Sequence, residues 1–393
     1  MSRIGILIVV CMASTTPGWA QQTREQLRAA AQAEKAKTLQ PYVPGPVERY
    51  SATIQQALLD PPPIYTFIGG VFPGGAFALG PGARYRWTSG ALADVHGAWS
   101  MKNYKMVDAS LKLPAFAGRR IAVETHANWL EAPKVAFYGP GNTSLDSDRT
   151  SFLYRSTTAG GSARVQLLPV ASVGGGLDYL DLTTGPGRLG PSIEQRFGPV
   201  TATGLGTAPT YTRSHAFAAI DWRDSPGYSR HGGLYRVDWS SYQQRHDGPY
   251  SFTRIDAELD QFVPLLRENW VLAFRALASV TGTDEGRGVP YFLMPSLGGG
   301  SELRGYPSWR FRDRHRLLLT GEYRWTAGQF VDMAIFLDAG KVVSRRRDLD
   351  LNDLQTSYGI GIRFHAPAAT ILRAEVARTI EGIGLVFAFG PSF

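Results

Sequence analysis

The sequence predicts an all-β fold, namely a transmembrane antiparallel β-barrel of about 16 strands that follows a short helical segment. Three observations favour this class. Strand-length segments with alternating apolar and polar residues recur from Ile64 to Phe393, and at roughly 20 residues per strand and loop they account for the strand number. Beyond the amino terminus, no apolar run approaches the ~20 residues that a membrane-spanning helix needs. The chain ends in an aromatic-rich strand pattern.

Residues 1–20 are predicted to be a secretory signal that is cleaved after Ala20. Arg3 supplies a positive charge, residues 4–13 form a short apolar stretch, and Gly18 and Ala20 are small residues at the positions that signal peptidase reads. The alternative is an uncleaved anchor helix, but the apolar stretch is too short to span a bilayer. Cys11 is the only cysteine and would leave with the signal, which excludes disulfides and cysteine-based sites from the mature chain.

Residues 21–63 differ in composition from the rest of the chain. Residues 23–40 are rich in Ala, Glu, Lys and Gln, which are good helix formers, and Pro41, Pro44 and Pro46 follow them. A second proline cluster at 61–63 marks the next boundary. The segment is at or below the ~50-residue minimum for an independent domain, so we expect a periplasmic helix and a proline-rich linker before a barrel over residues 64–393.

Apolar and polar residues alternate in the same way along successive strand patterns. Apolar side chains occupy one face, and several charges occupy the other; an example is the segment 252–262, where Ile255, Ala257 and Leu259 alternate with Arg254, Asp256, Glu258 and Asp260. A soluble β-sandwich also alternates, but it rarely carries such charges on strand after strand. An apolar outer face and a polar lumen are typical of a membrane barrel. Closure is expected because hydrocarbon leaves no partner for an unpaired backbone N–H or C=O.

Charge and composition limit the partners. The net charge of +8 is spread along the chain without a basic cluster. We therefore expect contact with outer-membrane lipids and no nucleic-acid partner. The sequence offers no cofactor or metal motif.

The strongest motif lies between residues 298 and 340. Three glycines precede the tetrapeptide Leu303, Arg304, Gly305 and Tyr306, and two strand patterns follow at 316–325 and 330–340, separated by a turn at Ala327–Gly328. By parity, Glu322 and Arg324 on the first strand face the lumen, as do Phe336, Asp338 and Gly340 on the second. A guanidinium that entered the barrel would need a carboxylate there. The alternative is an ordinary external loop with a solvated Asp338.

This arrangement resembles the BamA/TamA family, also called the bacterial surface antigen superfamily. The family signature combines a V/L-R-G-F/Y loop tip with an F-x-D-x-G strand; here these would be residues 303–306 and Phe336, Asp338 and Gly340. The resemblance implies a long loop, at about 283–314, that folds back into the barrel and brings Arg304 to Asp338. Glu322, Arg324 and Arg363 are the predicted lumenal support. The glycine-rich 358–363 and the segment 137–142 resemble further family elements.

The resemblance also implies a function. Members assist insertion or translocation of proteins, or of lipids, at outer membranes, and we expect client or partner envelope proteins and no enzymatic activity. The barrel assembly machinery would act during the chain's own biogenesis. Residues 21–63 are too short for a POTRA module, so the chain is expected to be a barrel-only member of the family.

The carboxyl terminus carries a predicted assembly signal. Leu385, Phe387, Phe389 and Phe393 share one face of the terminal strand pattern. An aromatic-rich last strand with a terminal Phe resembles the signal that bacterial outer-membrane barrels use for assembly. We assign this role to Phe387, Phe389 and Phe393.

Two features distinguish the leading function from its alternatives. The predicted first strand, near Phe67–Gly80, is rich in glycine and includes Pro73, and the last includes Gly390 and Pro391, so the closure between them should be weak. A passive porin would instead need an open lumen, with a charge ring such as the one at residues 254–260. A barrel-embedded hydrolase is less favoured, because the seven His are scattered and neither G-x-S-x-G nor H-E-x-x-H occurs.

Overall fold

The computed structural model describes residues 62–266 and 269–393, together with Gly45 and Arg49. The predicted signal, its cleavage after Ala20 and nearly all of the helix and linker segment 21–63 lie outside the described residues. Within the described part, no helix is both long enough and apolar enough to cross a bilayer.

The barrel is built from strands that follow each other around one sheet. In chain order the strands are β1 (Ile64–Gly70), β2 (Phe77–Arg86), β3 (Leu92–Ser100), β4 (Lys105–Lys112), β5 (Ile121–Phe137), β6 (Thr150–Leu168), β7 (Ala171–Pro186), β8 (Thr210–Asp221), β9 (Gly232–Gln244), β10 (Phe252–Leu265), β11 (Trp270–Gly282), β12 (Ser296–Leu297), β13 (Phe311–Arg312), β14 (His315–Gly328), β15 (Val331–Val343), β16 (Gln355–Ala366), β17 (Ala369–Thr379) and β18 (Gly382–Phe389). Single 3-10 turns lie at Asp146–Asp148, Ile193–Gln195, Tyr291–Leu293 and Arg346–Asp348.

Sixteen of these strands form one antiparallel sheet, so the predicted barrel of about 16 strands is confirmed. The short strands β12 and β13 pair only with each other, within the loop that joins β11 to β14. The connections at one end of the barrel are mostly short, with two residues between β6 and β7 and two between β16 and β17. The other end carries the long loops 138–149, 187–209 and 283–314. This asymmetry is typical of outer-membrane barrels, whose short turns face the periplasm.

The predicted faces of the strands are confirmed. On β10, Ile255 and Leu259 are 48% and 43% exposed on the outer surface, whereas Asp260 is 1% exposed on the inner one. Inner charges pair across and along strands, as in the bond from Arg275 Nη2 to Glu258 Oε1 at 2.7 Å. The outer face is therefore apolar, and charged side chains inside the barrel form ion pairs with each other.

The prediction for the first strand is wrong. The segment Phe67–Gly80 contains the end of β1 and the start of β2, and the turn between them includes Pro73. Gly74 has a positive φ of 83°, so Pro-Gly-Gly makes a hairpin turn where a continuous strand was expected. Pro73 therefore does not weaken any ladder. The expected turn at Ala327–Gly328 also shifts, because β14 runs to Gly328 through a bulge.

The predicted placement of Phe393 is wrong as well. Phe387 and Phe389 are exposed on the outer face, as expected. The strand, however, ends at Phe389, and Gly390 takes a left-handed conformation with φ of 79°. This break cancels the two-residue alternation, and Phe393 turns into the lumen, where its ring stacks on Phe262 with 5.8 Å between centroids.

The sheet has two ends, β1 and β18. No backbone ladder joins them among the residues that the structure describes. Their vicinity is marked by an aromatic contact between Phe77 and Phe389, with 5.7 Å between ring centroids. We call this junction the seam. It is the one junction of neighbouring barrel strands in the described chain without paired backbone groups.

Candidate functional site

The loop 283–314 returns into the barrel and carries the tetrapeptide tip with it. Leu303 and Arg304 are fully buried there. Gly305 has a φ of 89°, and a Cβ on it would lie 2.7 Å from Cβ of Ala377 on β17. Only glycine fits this approach, because it has no Cβ and tolerates the left-handed conformation. The loop tip is therefore pressed against the inner wall of β17.

Arg304 and Asp338 are brought together as a bidentate pair. Arg304 Nε donates to Asp338 Oδ2 at 2.8 Å, and Nη2 donates to Oδ1 at 2.7 Å. The backbone N–H of Arg304 also donates to Oδ2, at 3.0 Å. The guanidinium lies 3.5 Å above the ring centroid of Phe336, the first residue of the strand motif. This geometry fixes both the position and the plane of the arginine.

Two further carboxylates face the same guanidinium. Arg304 Nη1 donates to Glu322 Oε1 at 2.6 Å and to Glu375 Oε1 at 3.3 Å. Burial alone would lower the pKa of Arg304, but the facing carboxylates, Glu322 first, raise it above its ordinary value on balance. Arg304 is therefore held as a cation in the barrel interior.

A network of charges continues from this point toward the carboxyl terminus. Glu322 Oε2 accepts from Arg324 Nε at 2.7 Å and from Arg363 Nη2 at 2.8 Å. Arg373 Nη1 donates to Glu375 Oε2 at 3.0 Å. The cluster contains four guanidiniums and three carboxylates. Every member is buried, so solvent screens these charges little. We call these seven side chains the lumenal ion cluster; they are Arg304, Glu322, Arg324, Asp338, Arg363, Arg373 and Glu375.

The remaining motif residues pack around the pair. Leu303 and Tyr306 lie in an apolar cluster with Leu318 and Phe311. The Tyr306 hydroxyl lies 3.3 Å from Gln355 Oε1. A Cβ on Gly340 would meet the carbonyl oxygen of Leu317 at 2.8 Å and Cδ1 of Leu297 at 2.9 Å, so this position admits little more than a hydrogen.

Two cluster members, and one residue that bonds to the cluster, are absent from the residues singled out in the sequence. Arg373 and Glu375 have lumenal parity on β17, and that alternation is visible in the chain, but Glu375 bonds to Arg304, 71 residues earlier in the sequence, as well as to Arg373. The Ser392 hydroxyl bonds to Glu322 at 3.2 Å, which draws the carboxyl-terminal tail into the cluster. Phe393 continues it, since the Arg324 guanidinium lies 4.8 Å from its ring centroid.

The long loops pack over one end of the lumen. Asn142 donates to the carbonyl of Asp353 at 2.8 Å, and Arg310 bonds to Glu381 at 2.8 Å, so loops from distant strands are tied together. Arg312 is also buried here, among Phe137, Phe152 and Trp309. Its described hydrogen-bond partner is the carbonyl of Tyr291, at 2.9 Å. Burial lowers the pKa of Arg312 to about 10.

The short-turn end is also crossed by a connection. The β8–β9 turn carries Tyr228, whose hydroxyl donates to Asp332 Oδ2 at 2.5 Å and lies 3.2 Å from His365 Nε2. Gly227 forms a backbone bridge with Ala369 at the β16–β17 turn. Loop, tail and turn therefore occupy the lumen at several levels.

A cavity of about 910 Å³ lies beside the seam. Backbone of Gly70 and Gly299 and the side chains of Phe77, Trp309 and Phe389 contribute to its lining. It thus adjoins both the edge of β1 and the glycine-rich start of the loop tip. No group of three or more His, Cys, Asp or Glu that could hold a metal ion occurs in the part of the chain that the structure describes.

Comparison with known proteins identifies relatives of this barrel. The Omp85 superfamily domain matches residues 107–384. Among solved structures, BamA from Haemophilus ducreyi lacking POTRA domains 1–3 is similar, with a TM-score of 0.63 and 14% identity over 84% of this chain and 69% of that one. CdiB from Escherichia coli gives a TM-score of 0.52 at 13% identity over 84% of this chain and 60% of that one.

CdiB from Acinetobacter baumannii gives a TM-score of 0.50 at 12% identity, over 84% of this chain and 59% of that one. The chain thus spans about 60% of the length of each CdiB protein. No curated protein matches the sequence. At these identities the solved structures establish the fold, and the domain match covers the barrel from β4 to β18.

Proposed function

The chain belongs to the Omp85 superfamily, and from that premise we propose that this outer-membrane barrel assists the insertion or translocation of envelope proteins, or of lipids, at the outer membrane. The relevant energy comes from exchange of backbone hydrogen bonds, and no covalent chemistry is involved. Lipids of the outer membrane and client proteins are its proposed partners.

The observation that carries this proposal is the seam. Seven residues of β1 pair with β2 on one side, while the opposite edge has no ladder to β18 among the described residues. An unpaired strand edge is a template for another strand. The cavity of about 910 Å³ beside this edge leaves room for an incoming segment. A client strand could therefore add to β1 without first breaking a native ladder.

The lumenal ion cluster complements the seam. It ties the loop tip to β14, β15 and β17 through Arg304 and its three carboxylates. The wall next to the seam is thus stiffened from inside while the seam itself stays unpaired. A passive porin is disfavoured, because loop, tail and turn occupy parts of the lumen that ions would need.

A seam lock tests the proposal. Phe77→Cys and Phe389→Cys, in a Cys11→Ser background, replace two rings whose centroids lie 5.7 Å apart across the seam. We expect that a short cleavable bismaleimide will abolish assembly of a small eight-stranded client barrel in proteoliposomes, and that cleavage of the linker will restore it.

The matched control is a cysteine pair at Ile255 and Val280, which are register partners within the paired strands β10 and β11. Crosslinking there leaves every ladder in place and should not affect the client. Equal client assembly with a free and a locked seam would contradict the proposal.

A further inference from the structure

A row of charged side chains lies on the outer surface of the barrel, where most neighbours are apolar. Register places Trp99 on β3, Lys105 on β4, Glu131 on β5 and Arg155 on β6 directly beside each other. Trp99 is 63% exposed and shares the outward parity of Val95. Lys105, Glu131 and Arg155 likewise have the outward parity of their strands, because the alternate positions, such as Leu130, pack in the interior.

The geometry of the row is fixed by one carboxylate. Lys105 Nζ lies 3.2 Å from Glu131 Oε1, and Arg155 Nη2 lies 2.6 Å from Oε2. The Lys105 ammonium is also 5.9 Å from the ring centroid of Trp99. The Glu131 side chain is 11% exposed, whereas those of Lys105 and Arg155 are 39% and 45% exposed. Glu131 therefore lies between two outward cations, and its single negative charge balances only one of the two positive charges.

The row lies at the end of the strands that carries the long loops. Lys105 begins β4 on that side, and Trp129 lies one outward position closer to the middle of the membrane than Glu131. Exposed aromatic residues mark the level of the lipid headgroups in barrels. The two cations thus face the headgroup layer of the outer leaflet, where phosphate is the complementary anion.

From this geometry we infer that Lys105 and Arg155, positioned by Glu131, form a binding site for the phosphate group of an outer-leaflet lipid. The ammonium supplies a point charge, and the guanidinium supplies donors that fit phosphate oxygens. Trp99 packs beside the same lipid at the interface. Asp181 on β7 also faces outward, but it lies on the next row toward the membrane centre and has no described contact with either cation.

Native mass spectrometry of the whole protein in detergent tests the site, with bis-phosphorylated lipid A as the probe. The variant is Lys105→Gln with Arg155→Gln. We expect its affinity for lipid A to fall roughly tenfold, equivalent to about 1.4 kcal/mol, because both phosphate contacts are lost. Dephosphorylated lipid A should bind both proteins equally weakly.

A control makes the same change of charge on the same strands at their other end, with Lys112→Gln and Arg164→Gln, two cations that have lumenal parity. It should retain lipid A like the native chain. The charge-retaining swap Lys105→Arg with Arg155→Lys should also retain most of the binding, which separates lost charge from a folding defect.

Two outcomes would overturn the inference. The first is equal lipid A retention by the native chain and the Gln variant, or an equal loss in the control. The second is displacement of lipid A by millimolar inorganic phosphate, since the site would then take free phosphate instead of a membrane lipid.

Discussion

Breaking the Arg304–Asp338 pair should show whether the loop tip is held by a coupled, buried contact. The changes are Arg304→Met and Asp338→Asn, singly and together, because these side chains keep most of the native volume. Asp338 receives three hydrogen bonds from Arg304 and further ones from Thr320 and Ser357. Removal of Arg304 therefore leaves Asp338 without any cation in the described contacts.

The two single variants should both be costly, for different reasons. In Arg304→Met, Glu322 and Glu375 keep other arginines, so only Asp338 loses its sole cation. In Asp338→Asn, Arg304 keeps two carboxylates, but the cluster changes from four cations against three anions to four against two. We expect each single change to cost about 3–5 kcal/mol, as for one partner removed from a buried pair. The double variant should cost about the same as one single change, which gives a coupling of about 3–5 kcal/mol.

The assay is urea unfolding in lipid vesicles, followed by the gel mobility of the folded barrel. The control cycle uses Arg236→Met and Asp238→Asn, a lumenal pair whose side chains are 36% and 35% exposed. It should give a coupling of at most about 1 kcal/mol. Additive costs within about 0.5 kcal/mol for Arg304 and Asp338 would refute the reasoning.

Two further predictions concern Arg312, which is buried, and Phe393, which is half-buried in the lumen. Arg312→Met should stabilise the barrel by about 1–4 kcal/mol in the same urea assay, because it replaces a buried cation that has no described carboxylate partner; a loss of stability would contradict this. Deletion of Phe393 should lower both the folded yield in cells and the stability in vitro, since its ring packs on Phe262 inside the barrel. Phe387→Ala, on the lipid face, should lower the folded yield in cells and leave the stability in vitro unchanged. If both variants give the same yield and the same stability, the lumenal contact of Phe393 does not contribute to stability.

Much of the barrel wall can be predicted from the sequence because its side-chain period is two. That rule assigns Asp338 and Glu322 to the lumen and Ile335 to lipid without knowledge of any partner. The rule fails where the backbone leaves the extended region. Gly390, with a φ of 79°, reverses the expected face of Phe393, and no hydropathy pattern carries that information.

The site was predictable to a smaller extent. Arg304 and Asp338 were paired through a family motif, whereas parity alone would have left Asp338 as one lumenal acid among several. Arg373 and Glu375 alternate visibly on β17, but their contact with the loop depends on the curvature of the sheet. Arg373 Nη2 reaches the carbonyl of Gly300 at 3.2 Å, a partner 73 residues away in the chain. Such long-range pairings are set by barrel closure and not by local sequence.

The loop 283–314 holds two buried arginines in opposite electrostatic situations. Arg304 at the tip faces three carboxylates, whereas Arg312 at the base has one described hydrogen bond, to a carbonyl. Removing a charge from water costs several kcal/mol unless paired partners offset it. The tip is therefore the anchored part of the loop. At the base, the buried Arg312 guanidinium raises the free energy of the packed state, and it would regain hydration if the base of the loop moved away from the barrel. We therefore expect the base of the loop to detach more readily than its tip.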